Sequence, residues 1–414
     1  MLRSALSRPT ILVTDAGRGS AITIIRSLGR RGWRVIAADA RPRSAGFRSR
    51  YAHDQLVYPP PESAPRQFVE TLLDAVRRHG VDLIIPVTDA AILPIAEARA
   101  EFDALCRVAI PPDAALESVT NKAKTLDIAK RLGVPIPRTH TVTTVEQAID
   151  HGSELGWPVV LKPQVSRLHH PGLSIEKLSV VYAENEIRLA EQMGQFASRC
   201  PVLLQEYCVG EGYGVELLMH EGRPLAAFAH RRLREMPLHG GPSALRESVA
   251  LDPVLYQQSV ALLREIGWEG LAMVEFKVGP RGIWLMEING RVWGSLPLAV
   301  HAGIDFPARL VELWLLGANG VDSEPDSAYQ LGVRSHNLEL ELKWIFTVLW
   351  GKRRVPFLPM PQRQAGLVAL AQLFHPAYKY DILAADDPIP GLADIARMIG
   401  REAARLVRRR STCD

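Results

Sequence analysis

Residues 271–295 read LAMVEFKVGPRGIWLMEINGRVWGS, and this stretch decides the fold. Leu271–Val278 predicts a strand, Pro280-Arg281-Gly282 a turn and Ile283–Asn289 a second strand, so the segment reads as a β-hairpin. Side chains two residues apart on a strand share a face, which sets Glu287 beside Asn289 and, across the antiparallel pair, close to Glu275. Arg291 follows at the same spacing. Two carboxylates and an amide carbonyl are hard oxygen ligands, the set Mg²⁺ takes when water and phosphate fill its other positions. A charge at Glu287, directly after the apolar run Ile283–Met286, is costly unless a cation compensates it. Glu275, Glu287 and Asn289 are therefore candidate metal ligands. Arg291 is a candidate to hold a transferring phosphate or a substrate carboxylate. The competing reading is a hairpin with a solvated acidic edge.

Working outward, a strand PVVLKP carries Lys162, the segment TNKAKT carries Lys122, and LLQEYCVGEGYGVELL spans residues 203–218. Together with the hairpin, these segments resemble the ATP-grasp superfamily, which includes D-alanine ligases, biotin carboxylases and purine-biosynthesis ligases. The resemblance covers roughly residues 10 to 315. It implies ATP with Mg²⁺ or Mn²⁺ as cofactors, with Lys122 and Lys162 at the phosphates and Glu275 and Glu287 at the metal. It also implies a hinge at Gln205, Glu206, Tyr207 and Cys208 around adenine, with Glu206 accepting from the adenine amino group. Where such families often place a ribose-binding glutamate this chain has Gly212, and Glu211 is the candidate replacement. The loop after Lys162, PQVSRLHHPGLSIEK, has one glycine and reads as a lid held by Arg167, His169 or Lys177. The adjacent His169 and His170 raise a zinc alternative that lacks a nearby third ligand.

Residues 10–40 read as strand, glycine turn, helix and strand, with Gly17 and Gly19 in the turn and Asp39 closing the second strand. This is half of a dinucleotide fingerprint; Ile22 stands where the third glycine belongs. Dinucleotide binding, a substrate-facing turn and a structural turn all remain open. The helical stretch PRQFVETLLDAVRRHG and the apolar strand VDLIIPVTD extend the pattern into a small doubly wound parallel sheet. The fold expected is α/β and α+β: an ATP-grasp fold with an N-terminal Rossmann-like pre-ATP-grasp domain over 1–112. The ATP-grasp domain follows over 113–315, with a lid subdomain at about 140–205, and then a mostly helical C-terminal extension over 316–414.

The segment HRRLREMPLHGGPSALRES places Arg231, Arg232 and Arg234 at a strand end and Arg246 beyond a Gly-Gly loop. Such a cluster suits an anionic substrate, and arginines paired to surface acids are the alternative. His301, Asp305 and Arg309 are candidates to line an acceptor side. This arrangement, with MEINGRVWGS and the terminal DDPIPGL, is similar to the uncharacterised carboxylate–amine ligases likened to D-aspartate ligase. That similarity implies activation of a carboxylate as an acyl phosphate and its transfer to an amine, with Arg291, Arg246 and Lys162 as catalytic residues and Arg231, Arg232, Arg246 and Arg291 contacting substrate. The partners implied are a small-molecule carboxylate and an amine, amino acid or sugar-linked. Alternatives are a carboxylase, a thiol ligase, or an ATP-binding module that has lost catalysis.

Composition narrows the field. A chain of 414 residues, 47% hydrophobic and 23% charged, suits two or three packed domains, and its formal charge of +4 is too small to argue for nucleic acid. The four cysteines, Cys106, Cys200, Cys208 and Cys413, fit neither a metal knuckle nor a redox pair, which points to reduced thiols in a cytoplasmic protein. The run Ile11–Val13 is too short for a signal-peptide core, and no stretch is apolar enough to span a bilayer. Residues 344–354 read as a packed helix or as an interfacial one with aromatic anchors and a basic flank touching a membrane surface. A homodimer is left open.

Overall fold

In a computed structural model, the residues described are 8–170, 174–196, 199–321, 329–351, 357 and 360–410, the side chains at 169, 170, 403 and 405–410 excepted. Short, continuously apolar runs near the amino terminus form strands buried on both faces, as parallel sheets require. Thr10–Val13, Arg34–Asp39, Asp54–Val57, Leu83–Ile85 and Arg107–Val108 make a five-stranded parallel sheet in the order third, second, first, fourth, fifth. Helix Pro65–His79 opens with a proline in its first turn and ends at Gly80, whose φ of 59° suits a left-handed cap. The reversal of strand order beside Thr10–Val13 leaves a crevice at the carboxyl ends of the strands. Asp15, Thr88 and Asp89 lie at that end.

The lid subdomain is an antiparallel sheet ordered Val181–Ala183, Val159–Pro163, Val202–Glu206, Thr139–Val142. Val142, Val159, Leu161, Val202 and Leu204 pack beneath helices Val145–Leu155 and Glu186–Met193. Alternation therefore turns Val160, Lys162, Leu203 and Gln205 to the opposite face. A hairpin of Arg167–His170 and Ser174–Lys177 follows the lysine strand and reaches the amino-terminal domain, Ile175 N donating to Glu62 O at 2.8 Å.

The third sheet has seven strands: Gly282–Asn289, Gly270–Gly279, Glu211–His220, Arg223–Glu235, Ser243–Ser248, Arg334–His336 and Lys379–Tyr380. Val215, Leu217, Val274, Phe276 and Ile288 on one face pack with Leu255, Leu262 and Leu263 of helix Pro253–Ile266. The other face carries the polar residues described below. The stretch around Arg246, beyond the Gly-Gly loop, is the wholly buried strand Ser243–Ser248. Within the mostly helical C-terminal segment, Arg334–His336 and Lys379–Tyr380 extend this sheet. The same segment fastens onto the amino-terminal domain: Arg26 Nε lies 2.9 Å from Asp387 Oδ2, both side chains buried, and Ser49 Oγ donates to the same oxygen at 2.7 Å.

Helix Leu338–Trp350 buries Trp344, Ile345 and Val348 and exposes Leu342, Phe346 and Trp350 on its far side. Lys352, Arg353 and Arg354, the basic flank of the interfacial reading, lie outside the described residues. Among the described residues, no helix is long and apolar enough to cross a membrane.

Candidate active site

The hairpin register places Glu275 directly opposite Glu287 and Met273 opposite Asn289. Asn289 Nδ2 donates to Glu275 Oε1 at 2.7 Å and to Glu287 Oε1 at 3.4 Å. Arg232 reaches in from two strands away, its Nη2 2.5 Å from Glu275 Oε2 and its Nη1 3.3 Å from Glu235. Lys162 Nζ approaches Met286 O at 3.5 Å from the lid face, and Lys122 Nζ donates to Ser166 Oγ at 2.5 Å. Burial lowers the pKa of both lysines, and Glu287 opposes that shift in each case. Burial also raises the pKa of Glu275, with Glu287 adding to the rise and Arg232 countering it. Burial works against the Arg232 charge, yet Glu275 and Glu235 hold its pKa above the ordinary range. Two neighbouring part-buried carboxylates repel and call for cations, and the donor set of two carboxylates and an amide fits a magnesium ion.

Glycines on the middle strand make this convergence possible. A Cβ on Gly214 would lie 2.4 Å from His230 Cε1, and one on Gly212 would lie 2.8 Å from Arg232 Cδ and 2.9 Å from Glu235 Oε1. With no side chain at either position, His230 and Arg232 lie across the strand towards the acidic pair. His230 is buried and its Nδ1 stands 2.5 Å from Glu216 Oε1.

The hinge differs from expectation at two residues. The Glu206 carboxylate is occupied by Arg138, receiving its backbone N–H and its Nε, each at 3.0 Å, so its expected role as the adenine acceptor does not fit. Gln205, on the same sheet face as Lys162, has instead a buried Oε1 with no partner among the described residues, while its Nε2 donates to Thr139 Oγ1 at 2.9 Å. The sequence puts Gln205 and Glu206 together in the hinge, and only strand register tells which of these two adjacent polar residues faces the cleft. Glu211 is exposed and shares its face with Tyr213 and Val215, away from Glu275, so it cannot supply a ribose contact in the cleft. Glu235 occupies the space a side chain at 212 would fill. Tyr207 stands beside the hinge with Lys277 6.0 Å from its ring centroid, and Cys208 is buried, its thiol pushed up to about 11 chiefly by burial.

Most of the arginine cluster is structural. Arg246 is 1% exposed and ion-paired with Asp381, which also accepts from Ser335 Oγ at 2.9 Å. A guanidinium so enclosed and neutralised cannot meet a substrate, which removes its catalytic and substrate roles. Arg231 lies on the face away from Glu275 and spends Nε and Nη2 on Glu247, which Arg334 also grips at 2.7 Å. Facing away from the acidic pair and spent on Glu247, it does not reach a substrate held there. Arg234 pairs with buried Glu341 and stacks 5.2 Å from the Trp344 ring centroid. Arg291 lies just beyond the strand, half-buried, with Nε 3.1 Å from Asp89 Oδ2 across the domain boundary. Only Arg232 of the cluster joins the acidic pair.

Other candidates resolve similarly. Asp39 braces its own loop by accepting from Gly17 N at 2.7 Å and Ser44 Oγ at 2.8 Å, which favours the structural reading of the glycine turn. Asp305 caps helix Phe306–Leu316 and pairs with Arg31, while His301 Nε2 stands 3.1 Å from Tyr380 O, so neither lines an acceptor side; Arg309 follows on the same helix. Arg167 lies 3.9 Å from Glu62, Lys177 is exposed, and the side chains of His169 and His170 lie outside the described residues.

Residues 198–338, which contain both the hinge and the acidic hairpin, match the family described as ATP-grasp in the biosynthetic pathway with Ter operon. The chain has the ATP-grasp fold. Part of it is 25% identical over 198 residues to the carbamoyl phosphate synthase large chain of Vibrio cholerae, covering 46% of this chain and 18% of that one. The chain thus matches less than a fifth of that relative's length. Among solved structures, the biotin carboxylase of Campylobacter jejuni superposes with a TM-score of 0.59 at 18% identity, over 80% of this chain and 75% of the other. The L-amino acid ligase of Bacillus licheniformis gives 0.59 at 16% identity, over 77% and 78%. Both solved structures share the fold of this chain.

Proposed function

We propose that this protein of the ATP-grasp fold is an ADP-forming ligase that activates a substrate carboxylate as an acyl phosphate and joins it to an amine. The observation that carries the reading is the set of Glu275, Glu287 and Asn289 on adjacent strands, faced by Lys162 and Lys122 from the lid side. In this reading the nucleotide lies between the lid sheet and the seven-stranded sheet, its base against Gln205–Cys208. A bound Mg²⁺ would supply charge neutralisation at the phosphates, held by Glu275, Glu287 and Asn289. Lys162 and Lys122 offset phosphate charge, and their burial strengthens that effect by excluding water. Arg232, anchored between Glu275 and Glu235, holds an anionic group against the acidic pair. Arg291, fixed by Asp89, presents its remaining N–H groups to the substrate carboxylate.

The chemistry balances without covalent work by the protein. A carboxylate oxygen bonds to the γ-phosphorus as the bond to the bridging oxygen breaks, and ADP leaves. The amine nitrogen then bonds to the acyl carbon, phosphate departs and the nitrogen loses a proton. Positioning and electrostatics supply the catalysis.

The test is phosphate release from ATP across panels of amino acids, dipeptides and sugar acids, with and without an added amine. Release that needs both a carboxylate and an amine supports the ligase. Release driven by bicarbonate alone would identify a carboxylase, and tight ATP binding with no release under any condition would identify a binding module.

A further inference from the structure

We propose that the outer face of the lid subdomain carries a transition-metal site made by His140, His151 and Glu154. His151 and Glu154 are three residues apart in helix Val145–Leu155, a spacing that puts them on one helix face. His140 lies on the edge strand Thr139–Val142 and shares its face with Val142, which is buried beneath that helix, so His140 turns towards the helix too. One ligand atom from each residue lies within 4.8 Å of the other two.

The distances favour an ion. His140 Nε2 and His151 Nδ1 stand 3.6 and 3.4 Å from the same oxygen, Glu154 Oε2. With bonds of about 2.0–2.1 Å, tetrahedral zinc holds its ligand atoms about 3.4 Å apart, so these two edges need almost no closing. The imidazoles lie face to face, 3.9 Å between centroids at 10°. Both rings are partly exposed, 30% and 38%, and among the described residues their side chains have no partner but Glu154 and each other. A tilt that brings both lone pairs onto one ion therefore breaks no other contact. Two imidazoles, a carboxylate and a water suit Zn²⁺, and Co²⁺ as its spectroscopic substitute.

Placement suggests what the ion would do. Arg138, two residues before His140, donates to Glu154 O at 3.4 Å and Leu155 O at 2.8 Å while its Nε holds Glu206. An ion at this site would tie the end of the helix to the strand that anchors the hinge, stiffening the lid from outside without entering the cleft. The site does not depend on the reaction proposed above.

Zinc titration of the untagged, chelator-stripped full-length chain in competition with a chromophoric chelator tests this. One equivalent should bind and raise the unfolding temperature, and Co²⁺ should give the visible absorption of a four-coordinate ion. His140→Ala and His151→Ala should each weaken zinc binding at least tenfold and abolish that absorption, whereas His169→Ala should change neither. No zinc uptake, uptake unchanged in the two alanine variants, or loss in His169→Ala instead would overturn the site. Glu154→Gln serves as the second variant should a histidine variant lose its far-ultraviolet helical signal.

Discussion

Glu287 is the residue on which the active-site reading turns, because both lysines and the second carboxylate respond to its charge. Glu287→Gln keeps the shape and removes that charge. It should lower ATP turnover by about 10²–10³-fold, the usual scale for losing one preorganised electrostatic group, with the thermal transition unmoved; steady-state phosphate release and calorimetry check both. Arg246 gives the opposite pattern. Removing it leaves Asp381 buried and unpaired, so Arg246→Ala should cost about 3–5 kcal/mol of stability in urea unfolding, where a substrate contact would show as a raised KM alone. At His301, burial lowers the pKa of the imidazole, with Arg246 and Lys379 adding to the effect and Asp381 and the Tyr380 carbonyl opposing it. Below pH 6.5 the unfolded chain therefore binds more protons than the folded one, and stability should fall as pH drops from 7 to 5. His301→Asn should flatten that slope in unfolding measured at each pH.

At the scale of elements, the strand Glu211–His220 shows how backbone choice builds a site. Its alternation puts Val215 and Leu217 into the core, while Gly212 and Gly214 leave the face of the acidic pair open for side chains from the next strand. Gly214→Ala would drive a methyl into the His230 ring and should cost about 1–3 kcal/mol through overpacking, together with slower turnover as Arg232 and Glu275 shift. Unchanged stability and turnover in that variant would show that the ring has room to move aside. The hairpin Leu271–Ser295 was legible from sequence because it is local: its turn, its period of two and its acids lie within one short stretch. The roles of Arg234 and Arg246 were not, since each depends on a partner far away in the chain, Glu341 for Arg234 and Asp381 for Arg246.

Across the whole molecule, the C-terminal segment acts as a strap. It supplies Asp381 to Arg246 of the seven-stranded sheet and Asp386 and Asp387 to the amino-terminal domain, joining parts that the sequence presents as separate. The Arg26–Asp387 pair is buried on both sides, so Asp387→Ala should destabilise the protein by about 3–5 kcal/mol and expose the segment to limited proteolysis first. Arg30 and Asp386 are exposed, and Asp386→Ala should change stability by less than about 1 kcal/mol. Equal losses in the two variants would mean that burial of the first pair is not what fastens the strap.

Sequence alone determined the elements whose signal is short-range: the parallel strands with their apolar runs, the glycine turn, the two lysines and the acidic hairpin. The tertiary structure alone decided which polar groups face one another. It gave the cleft face to Gln205 and denied it to Glu206, drew Arg232 to the acids and sealed Arg246 away from them. The physical reason is that strand register and domain packing set the direction of a side chain, and both depend on contacts between residues tens to hundreds of positions apart.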